Sequence, residues 1–287
     1  MTLPKISIIT PTYNAADTLQ ACLESVAQQN YLHLEHWIID GLSKDSTLEI
    51  VRDYAQRHSH IKYISEKDQG IYDAMNKGID LATGEFLLFL GADDMLYDKE
   101  TLLNAFKKHE PNTLFLYGKT FYPKQNKALG ECVDIRYMIN GNICHQSIFY
   151  HKSLFTLFGK YSCAYKIWSD YIFNLKCFDL LKENEIKFIP IAISRFNETG
   201  ISQTSYDTKF IKNRWRLTNL ILKKKIEAKL FTQELKNLLS WCIHYNMLHG
   251  SIFVGFYLSI VQMFKNRSIK PAKNYLHLLY IRIFRRR

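Results

Sequence analysis

The chain has no Cys-x-x-Cys pair, no Walker-type phosphate loop, no dinucleotide fingerprint and nothing resembling a Ser-His-Asp hydrolase signature. Those absences remove zinc modules, P-loop NTPases, Rossmann dehydrogenases and serine hydrolases from consideration. Six cysteines, at 22, 132, 144, 163, 177 and 242, stand at no zinc-finger spacing to histidine. They read as buried thiols of a reduced, cytosolic protein. Internal repeats and low-complexity tracts are also missing. No helix-turn-helix, zinc finger or aromatic-rich RNA-binding motif accompanies the net charge of +11, so nucleic acid is not the expected partner. The amino-terminal stretch contains Lys5 and passes straight into patterned structure, which argues against a cleaved signal peptide.

What is present is unevenly distributed. Residues 1–150 carry 14 Lys and Arg against 19 Asp and Glu, whereas residues 151–287 carry 24 against 8. Most of the excess lies in residues 203–287, with 17 basic and 3 acidic side chains. An anionic partner for that end follows, and an anionic membrane surface fits it. Residues 237–264 contain no Asp, Glu, Lys or Arg, a run longer than the roughly 18 residues that nominate a membrane span. Asn237, Ser240, His244, Asn246, His249 and Gln262 dilute it. The pattern favours helices lying in the membrane interface over a crossing helix, with a helical cap on the body as the third reading. Lys223 to Lys225 before the run, and Arg282 with Arg285 to Arg287 after it, suit an anionic leaflet. Trp215 and Trp241 suit its interface.

The first hundred residues alternate between short apolar runs and helical periodicity. Strands are expected at 5–10, stopped by Pro11, and at 34–39, 61–65 and 86–90; helices at 17–29, 46–57, 71–82 and 99–108. Leu48, Val51 and Ala55 mark one face of the second helix, with Asp45 as its N-cap. Alternation of this kind means βαβ units and a parallel sheet. Beyond residue 112 it loosens: strands are expected at 114–118, 128–135, 147–150 and 187–196, some antiparallel, and a helix at 170–181. From about 208 the text turns to long basic and apolar helices. The expected organisation is therefore a donor-binding part over 1–112, an acceptor-binding and catalytic part of the same domain over 113–207, and an appendage over 208–287.

The strand at 86–90 ends in Gly91-Ala92 and then the adjacent acids Asp93 and Asp94. An open α/β sheet binds its ligands beyond the carboxyl ends of its strands. Two carboxylates there can hold Mg²⁺ or Mn²⁺ together with substrate phosphates; the same pair also fits the N-cap of a following helix. The first two strands end in Thr10-Pro11-Thr12-Tyr13-Asn14 and Asp40-Gly41-Leu42-Ser43-Lys44-Asp45, at that same edge. A Tyr ring can stack on a nucleobase, and a carboxylate can accept from a base imide or ribose hydroxyls.

These motifs carry a resemblance. "ISIITPTYNA", "IIDGLSKDST" and "SEKDQGIYDAMNKGIDLATGEFLLFLGADD", in that order over residues 5–95, resemble the family 2 glycosyltransferases of the GT-A fold, the bacterial type that builds cell-surface polysaccharides. The resemblance implies a Rossmann-like, mostly parallel sheet flanked by helices and a nucleotide-diphosphate sugar donor. It implies donor contacts from Pro11, Thr12, Tyr13, Asn14, Asp40, Asp73, Asn76 and Asp93; the spacing of Asp73 and Asn76 places both on one helix face. The family's metal motif usually reads Asp-any-Asp, and here its first place is Gly91. Asp93 then stands as the metal ligand, with Asp94 assisting through water or structure and waters completing the shell.

The resemblance also implies a general base at the start of a later helix. Asp170, in Trp168-Ser169-Asp170-Tyr171, matches the pattern and is the only acid between Asp134 and Asp179. His145, in Cys144-His145-Gln146-Ser147, is the candidate for contact with the acceptor or the diphosphate, and the segment 197–202 for a loop closing over the donor. The expected reaction is an inverting transfer from the donor to a hydroxyl of a glycan or lipid-linked acceptor, by a peripheral protein of the cytoplasmic face of the inner membrane. A nucleotidyltransferase of the same fold and a non-catalytic nucleotide-sugar-binding membrane subunit are the rival readings.

Overall fold

The computed structural model describes residues 3–107, 109–198, 207 and 209–210. The expected loop residues 199–202 and, apart from Lys209 and Phe210, everything expected from 208 onward lie outside the described residues.

Four strands build the first half: β1 (Ile6–Thr12), β2 (Leu34–Asp40), β3 (Ile61–Ser65) and β4 (Phe86–Phe89). They are joined by helices α1 (Ala16–Ala27), α2 (Thr47–Arg57) and α3 (Ile71–Leu81), and all their mutual pairings are parallel. After β4 come β5 (Met95–Leu96), α4 (Thr101–Phe106), β6 (Phe115–Tyr122), β7 (Lys127–Leu129), α5 (Ile135–Asn140), β8 (Ile148–His151), α6 (Ser153–Phe158), α7 (Ser169–Leu180) and β9 (Ile186–Arg195). The sheet runs β3-β2-β1-β4-β8-β6-β9-β5, with β7 on β6. Its second half is mixed: β8 is antiparallel to both β4 and β6, β9 is parallel to β6, and β5 is antiparallel to β9. The chain builds outward from β1 to β3, then crosses to β4 on the other side of β1. That reversal of strand order opens a crevice at the carboxyl ends of β1 and β4, where such sheets bind ligands.

Successive residues of β1 face opposite layers. Ile6 and Ile8 join Leu19, Leu23 and Val26 of α1, Val51 and Tyr54 of α2, and Leu102 and Phe106 of α4 in one core. On the other side Phe89, Tyr150, Phe155, Tyr161 and Phe173 form a ring-on-ring cluster, with Phe155 and Phe173 stacked at 4.5 Å. The wall of the crevice that carries α6 and α7 is thus built from aromatic side chains.

Several local expectations change. Pro11 does not stop β1, which pairs through Pro11↔Ile39 to Thr12↔Asp40. In this register Thr12 bonds toward β2, since its carbonyl accepts from Gly41 N–H, and Ile9 bonds toward β4, accepting from Leu90 N–H. Pro11 therefore turns its donorless nitrogen to the β4 side, where β4 has already ended, and no ladder bond is lost. The strand expected over 128–135 is replaced by β7 and α5. Asp134 caps α5, its Oδ1 accepting from the N–H groups of Arg136 and Tyr137 at 2.9 and 3.0 Å. Of the expected Leu48–Val51–Ala55 face of α2, Val51 is buried and Ala55 packs against the core, while Thr47 and Tyr54 in place of Leu48 complete it. The uniform burial expected of the thiols fails for Cys132 and Cys163, which are exposed.

Candidate active site

Asp40, at the carboxyl end of β2, is fully buried. Its oxygens accept from Ser43 Oγ (2.5 Å), Ser43 N–H (3.1 Å) and Ser65 Oγ (2.6 Å). Asp40 thereby fastens the 41–46 loop to the end of β3. Asn14, left-handed at φ 48°, ties the loop after β1 to the same place: its Oδ1 accepts from Lys44 N–H and its own N–H donates to Ser43 Oγ, both at 2.8 Å. Between them Tyr13 remains 60% exposed, so its ring face is available for stacking. The Thr12 hydroxyl is buried without a hydrogen-bond partner among the described residues. Asp68, unremarked in the sequence, approaches from the loop after β3: a Cβ on Gly41 would lie 2.5 Å from Asp68 Oδ2 and 3.5 Å from the Tyr13 ring.

α3 contributes side chains in three directions. Asp73 accepts from Gln69 N–H at 3.0 Å, tying the loop to the helix, with Lys77 3.8 Å away. Asn76 clamps Tyr161, donating to its carbonyl at 2.9 Å and accepting from its N–H at 3.0 Å. Asp73 and Asn76, expected as donor contacts on one helix face, each also brace a backbone segment. Tyr72, one residue earlier, donates its hydroxyl to Asp170 Oδ1 at 2.7 Å.

Asp170 lies in the first turn of α7 and is 7% exposed. Its other oxygen accepts from Asn142 Nδ2 at 2.7 Å. Asn142 Oδ1 in turn accepts from Asn174, and Asn174 Oδ1 from the Tyr150 hydroxyl. His145 Nδ1 stands 3.7 Å from Asp170 Oδ2. Burial pushes the Asp170 carboxyl up, yet His145, Tyr72 and Asn142 together outweigh it and hold the acid below its usual range. The result is an ionised carboxylate in a buried setting, aimed by donors from three elements.

Asp93 and Asp94 follow β4 and behave differently. Asp94 is 2% exposed; Oδ1 accepts from Asn197 N–H at 2.8 Å and Oδ2 from Gln146 Nε2 at 2.7 Å. Burial and the neighbouring Asp93 charge push it up, to about 6, against those hydrogen bonds. Asp93 is less buried and accepts from Asn197 Nδ2 at 3.2 Å. A side chain at Gly91 would meet both acids, since a Cβ there would lie 2.6 Å from Asp94 Oδ2 and 2.9 Å from Asp93 Oδ1. Two hard oxygens converge on that point, which suits a divalent cation completed by phosphate and water. No group of three His, Cys, Asp or Glu gathers for a metal among the described residues; of the pair, Asp93 is the more exposed member.

The short 3-10 turn His145–Ser147 connects the two corners. His145 faces Asp170 and Gln146 holds Asp94. Tyr72, Asn142 and Gln146 were not singled out in the sequence, because a neutral donor has no signature until its acceptor is known, whereas Asn197 opens the segment 197–202 expected to form a loop.

Residues 7–157 match the family described as Glycosyl transferase family 2. A PGL/p-HBAD biosynthesis glycosyltransferase of Mycobacterium bovis (strain BCG / Pasteur 1173P2) is 40% identical over 218 residues, covering 74% of this chain and 84% of that protein. The uncharacterized glycosyltransferase YibD of Escherichia coli K12 is 39% identical over 101 residues, 34% of this chain and 29% of its own. Among solved structures, S. aureus TarS 1-349 in complex with UDP superposes with a TM-score of 0.64 at 20% identity over 86% of this chain and 74% of that one. The mannosyltransferase PcManGT from Pyrobaculum calidifontis, in complex with GDP-Man and Mn2+, does so with a TM-score of 0.59 at 14% identity over 100% and 89%. The fold is that of the GT-A glycosyltransferases, and with the match over residues 7–157 and the 40% identical relative, the chain belongs to glycosyl transferase family 2 and is a glycosyltransferase.

Proposed function

We propose that the protein transfers a sugar from a nucleotide diphosphate donor to a hydroxyl of a glycan or lipid-linked acceptor, with inversion at the anomeric carbon, in cell-surface polysaccharide synthesis. The observation that carries this reading is Asp170: a buried, ionised carboxylate oriented by Tyr72 and Asn142, joined through the 145–147 turn to the acidic corner after β4. Asp170 takes the proton of the acceptor hydroxyl while that oxygen attacks the anomeric carbon. The bond from that carbon to the diphosphate oxygen breaks as the new one forms, and the leaving diphosphate keeps the electron pair. A single displacement inverts the configuration. General-base assistance of this kind contributes roughly 10²–10⁴ in rate.

The nucleoside lies against Tyr13 at the ends of β1 and β2. Asp93, with Asp94 behind it, would hold Mg²⁺ or Mn²⁺, which when bound supplies counter-charge to the diphosphate. Asn197 orients Asp93, Gln146 keeps Asp94 in place, and His145 lies beside Asp170 on the acceptor side. UDP, UDP-GlcNAc and GDP-Man in complexes of the solved neighbours support a nucleotide-sugar donor, and Mn2+ in one of them supports the cation. The biosynthetic role named for the mycobacterial relative supports a pathway transferase. The 17 basic against 3 acidic side chains of residues 203–287 support peripheral association with an anionic leaflet, at the cytoplasmic face of the inner membrane.

The test is release of nucleoside diphosphate from a panel of sugar donors and acceptors. Asp170→Asn is expected to lower turnover roughly 10²-fold or more while donor affinity stays at the wild-type value. A variant that loses donor binding in step with rate overturns the assignment of the base.

A further inference from the structure

Asn174 lies one turn after Asp170 on α7 and is fully buried, as are its sequence neighbours Phe173 and Leu175. Tyr150, on β8, is fully buried too, its ring packed edge-on against Phe89, Phe115, Phe155 and Phe173. Polar groups in such a place cost stability unless they are paired, and Leu with Phe would fill the same space without that cost. These two are paired with each other and with Asn142. The Tyr150 hydroxyl donates to Asn174 Oδ1 at 2.8 Å, Asn174 Nδ2 to Asn142 Oδ1 at 2.9 Å, and Asn142 Nδ2 to Asp170 Oδ2 at 2.7 Å. A single file of hydrogen bonds thus leads from an aromatic box to the carboxylate.

The order of donors along that file is fixed at both ends. An ionised carboxylate only accepts, whereas an amide has one accepting and one donating end. Turning Asn142 over would set its oxygen against Asp170, and turning Asn174 over would set oxygen against oxygen at Asn142. Tyr150 meets the oxygen of Asn174 with a hydrogen and so favours the one orientation that leaves its NH₂ for Asn142. Each bond of such a chain polarises the next. Asn142 comes from the loop after α5, but Asn174 comes from the helix that carries Asp170, so the file ties a loop donor to the base's own helix. Resting on the reading of Asp170 as the base, we propose that Asn174 is a positioning residue for the transfer: with Tyr150 behind it, it fixes the Asn142 amide so that Asp170 meets its NH₂ and not its oxygen. Asp170 is also faced by the Tyr72 hydroxyl from α3 and His145 Nδ1 from the 145–147 turn, with Cys144 and Tyr161 in its field; the variants below leave all four in place.

The test is a double-mutant cycle on full-length protein, read as nucleoside diphosphate released from the donor and acceptor of the panel that wild type turns over best, with rates taken per donor-binding site. Asn142→Ala removes the direct donor and is expected to lower kcat roughly ten- to a hundredfold, the range of a hydrogen bond to a charged group. Asn174→Leu is expected to lower kcat roughly three- to tenfold, to leave the KM for donor unchanged, and to move the acid limb of the pH–rate profile to higher pH. Tyr150→Phe keeps the volume of the ring and is expected to act in the same direction. In the Asn142→Ala background, Asn174→Leu should change kcat no further, because its effect has lost its carrier. The position of the limb does not depend on how much of a variant is folded. Additive losses of kcat, an unmoved limb in Asn174→Leu and Tyr150→Phe, or donor affinity lost in step with rate would make Asn174 a packing residue and overturn the proposal alone. Wild-type turnover by Asp170→Asn, or no turnover of any donor by wild type, would overturn the reading of the base on which it rests.

Discussion

Asp93 and Asp94 are neighbours in sequence and differ in everything that decides their roles. The buried member has both oxygens on protein donors, Gln146 Nε2 and Asn197 N–H; the other is more open. Asp94→Ala is therefore expected to strand those two donors and to destabilise the protein by about 1–3 kcal/mol, seen as a lower melting temperature without ligand. Asp93→Ala should melt like wild type and lose the divalent dependence of turnover across a Mg²⁺ and Mn²⁺ titration. The order of these two effects could not be read from the pair itself, since burial is a property of what folds over them. Asp170 was singled out because the resemblance places an acid at the start of that helix and no other occurs between Asp134 and Asp179. Its environment was not legible. Tyr72, His145 and Asn142 keep the acid below its usual range against the pull of burial, and Tyr150 and Tyr161 also lie in its field. In the proposed mechanism the ionised form is the base, so activity is expected to hold above that depressed value and to be lost as pH falls through it. Tyr72→Phe removes one of the donors that lower it, and the acid limb of the pH–rate profile is expected to move to higher pH. An unmoved limb would remove Tyr72 from the machinery.

At the scale of elements, the βαβ half was legible nearly to the residue, because buried parallel strands are apolar runs and the helices between them carry an apolar stripe. The strand expected at 61–65 is β3 as found. The second half was harder. β5 has 2 residues and α5 and α6 have 6 each, too short for periodicity to declare. They exist because other elements receive them: β5 pairs with β9, some hundred residues away in sequence. The end of the compact unit that contains the site is fixed by contacts that periodicity does not declare. Phe210, 1% exposed, stacks on Trp168 at 5.7 Å and touches Tyr165 and Tyr171 edge-on. Asp207, also buried, accepts from the N–H groups of Lys166, Ile167 and Phe210. This clasp bears on Trp168, a bulky residue held in the left-handed region at φ 76° two positions before Asp170. That conformation costs roughly 1–2 kcal/mol and needs the surrounding contacts to persist. Phe210→Ala is expected to cost about 3–5 kcal/mol of stability and, below its melting temperature, to lower kcat while nucleotide affinity is kept, because α7 carries the base and not the donor loops. Equal loss of both would make the clasp a general support. The unit that contains the site accordingly runs to Phe210, two residues past the start assigned to the appendage.

Taken whole, the chain separates its charge along its length. Residues 1–150, which include the strand ends proposed to form the donor corner, have an excess of acid, and residues 151–287 an excess of base. Among the described residues no helix is long and apolar enough to cross a membrane. The uncharged run 237–264 and the Lys and Arg clusters around it lie outside them, so their role has to be tested on the protein in solution. If those clusters hold the chain to an anionic leaflet, each contributes through a field that reaches about 10 Å at 0.1 M salt and about 3 Å at 1 M. Full-length protein is expected to sediment with vesicles containing anionic lipid at 0.1 M salt, to remain free of neutral vesicles, and to be released largely at 1 M. Replacing Lys223, Lys224 and Lys225 with Gln should weaken that binding by about 1 kcal/mol per charge, a factor of several for each. The proposed donor corner takes its residues from 11–14 and 40–43, whose loops are tied together and none of which belongs to the basic segment, so the same variant should bind nucleotide like wild type. Retention on vesicles at 1 M salt, with extraction only by detergent, would mean that the apolar run inserts. Absence of binding at low salt would overturn the membrane reading and leave the helical cap.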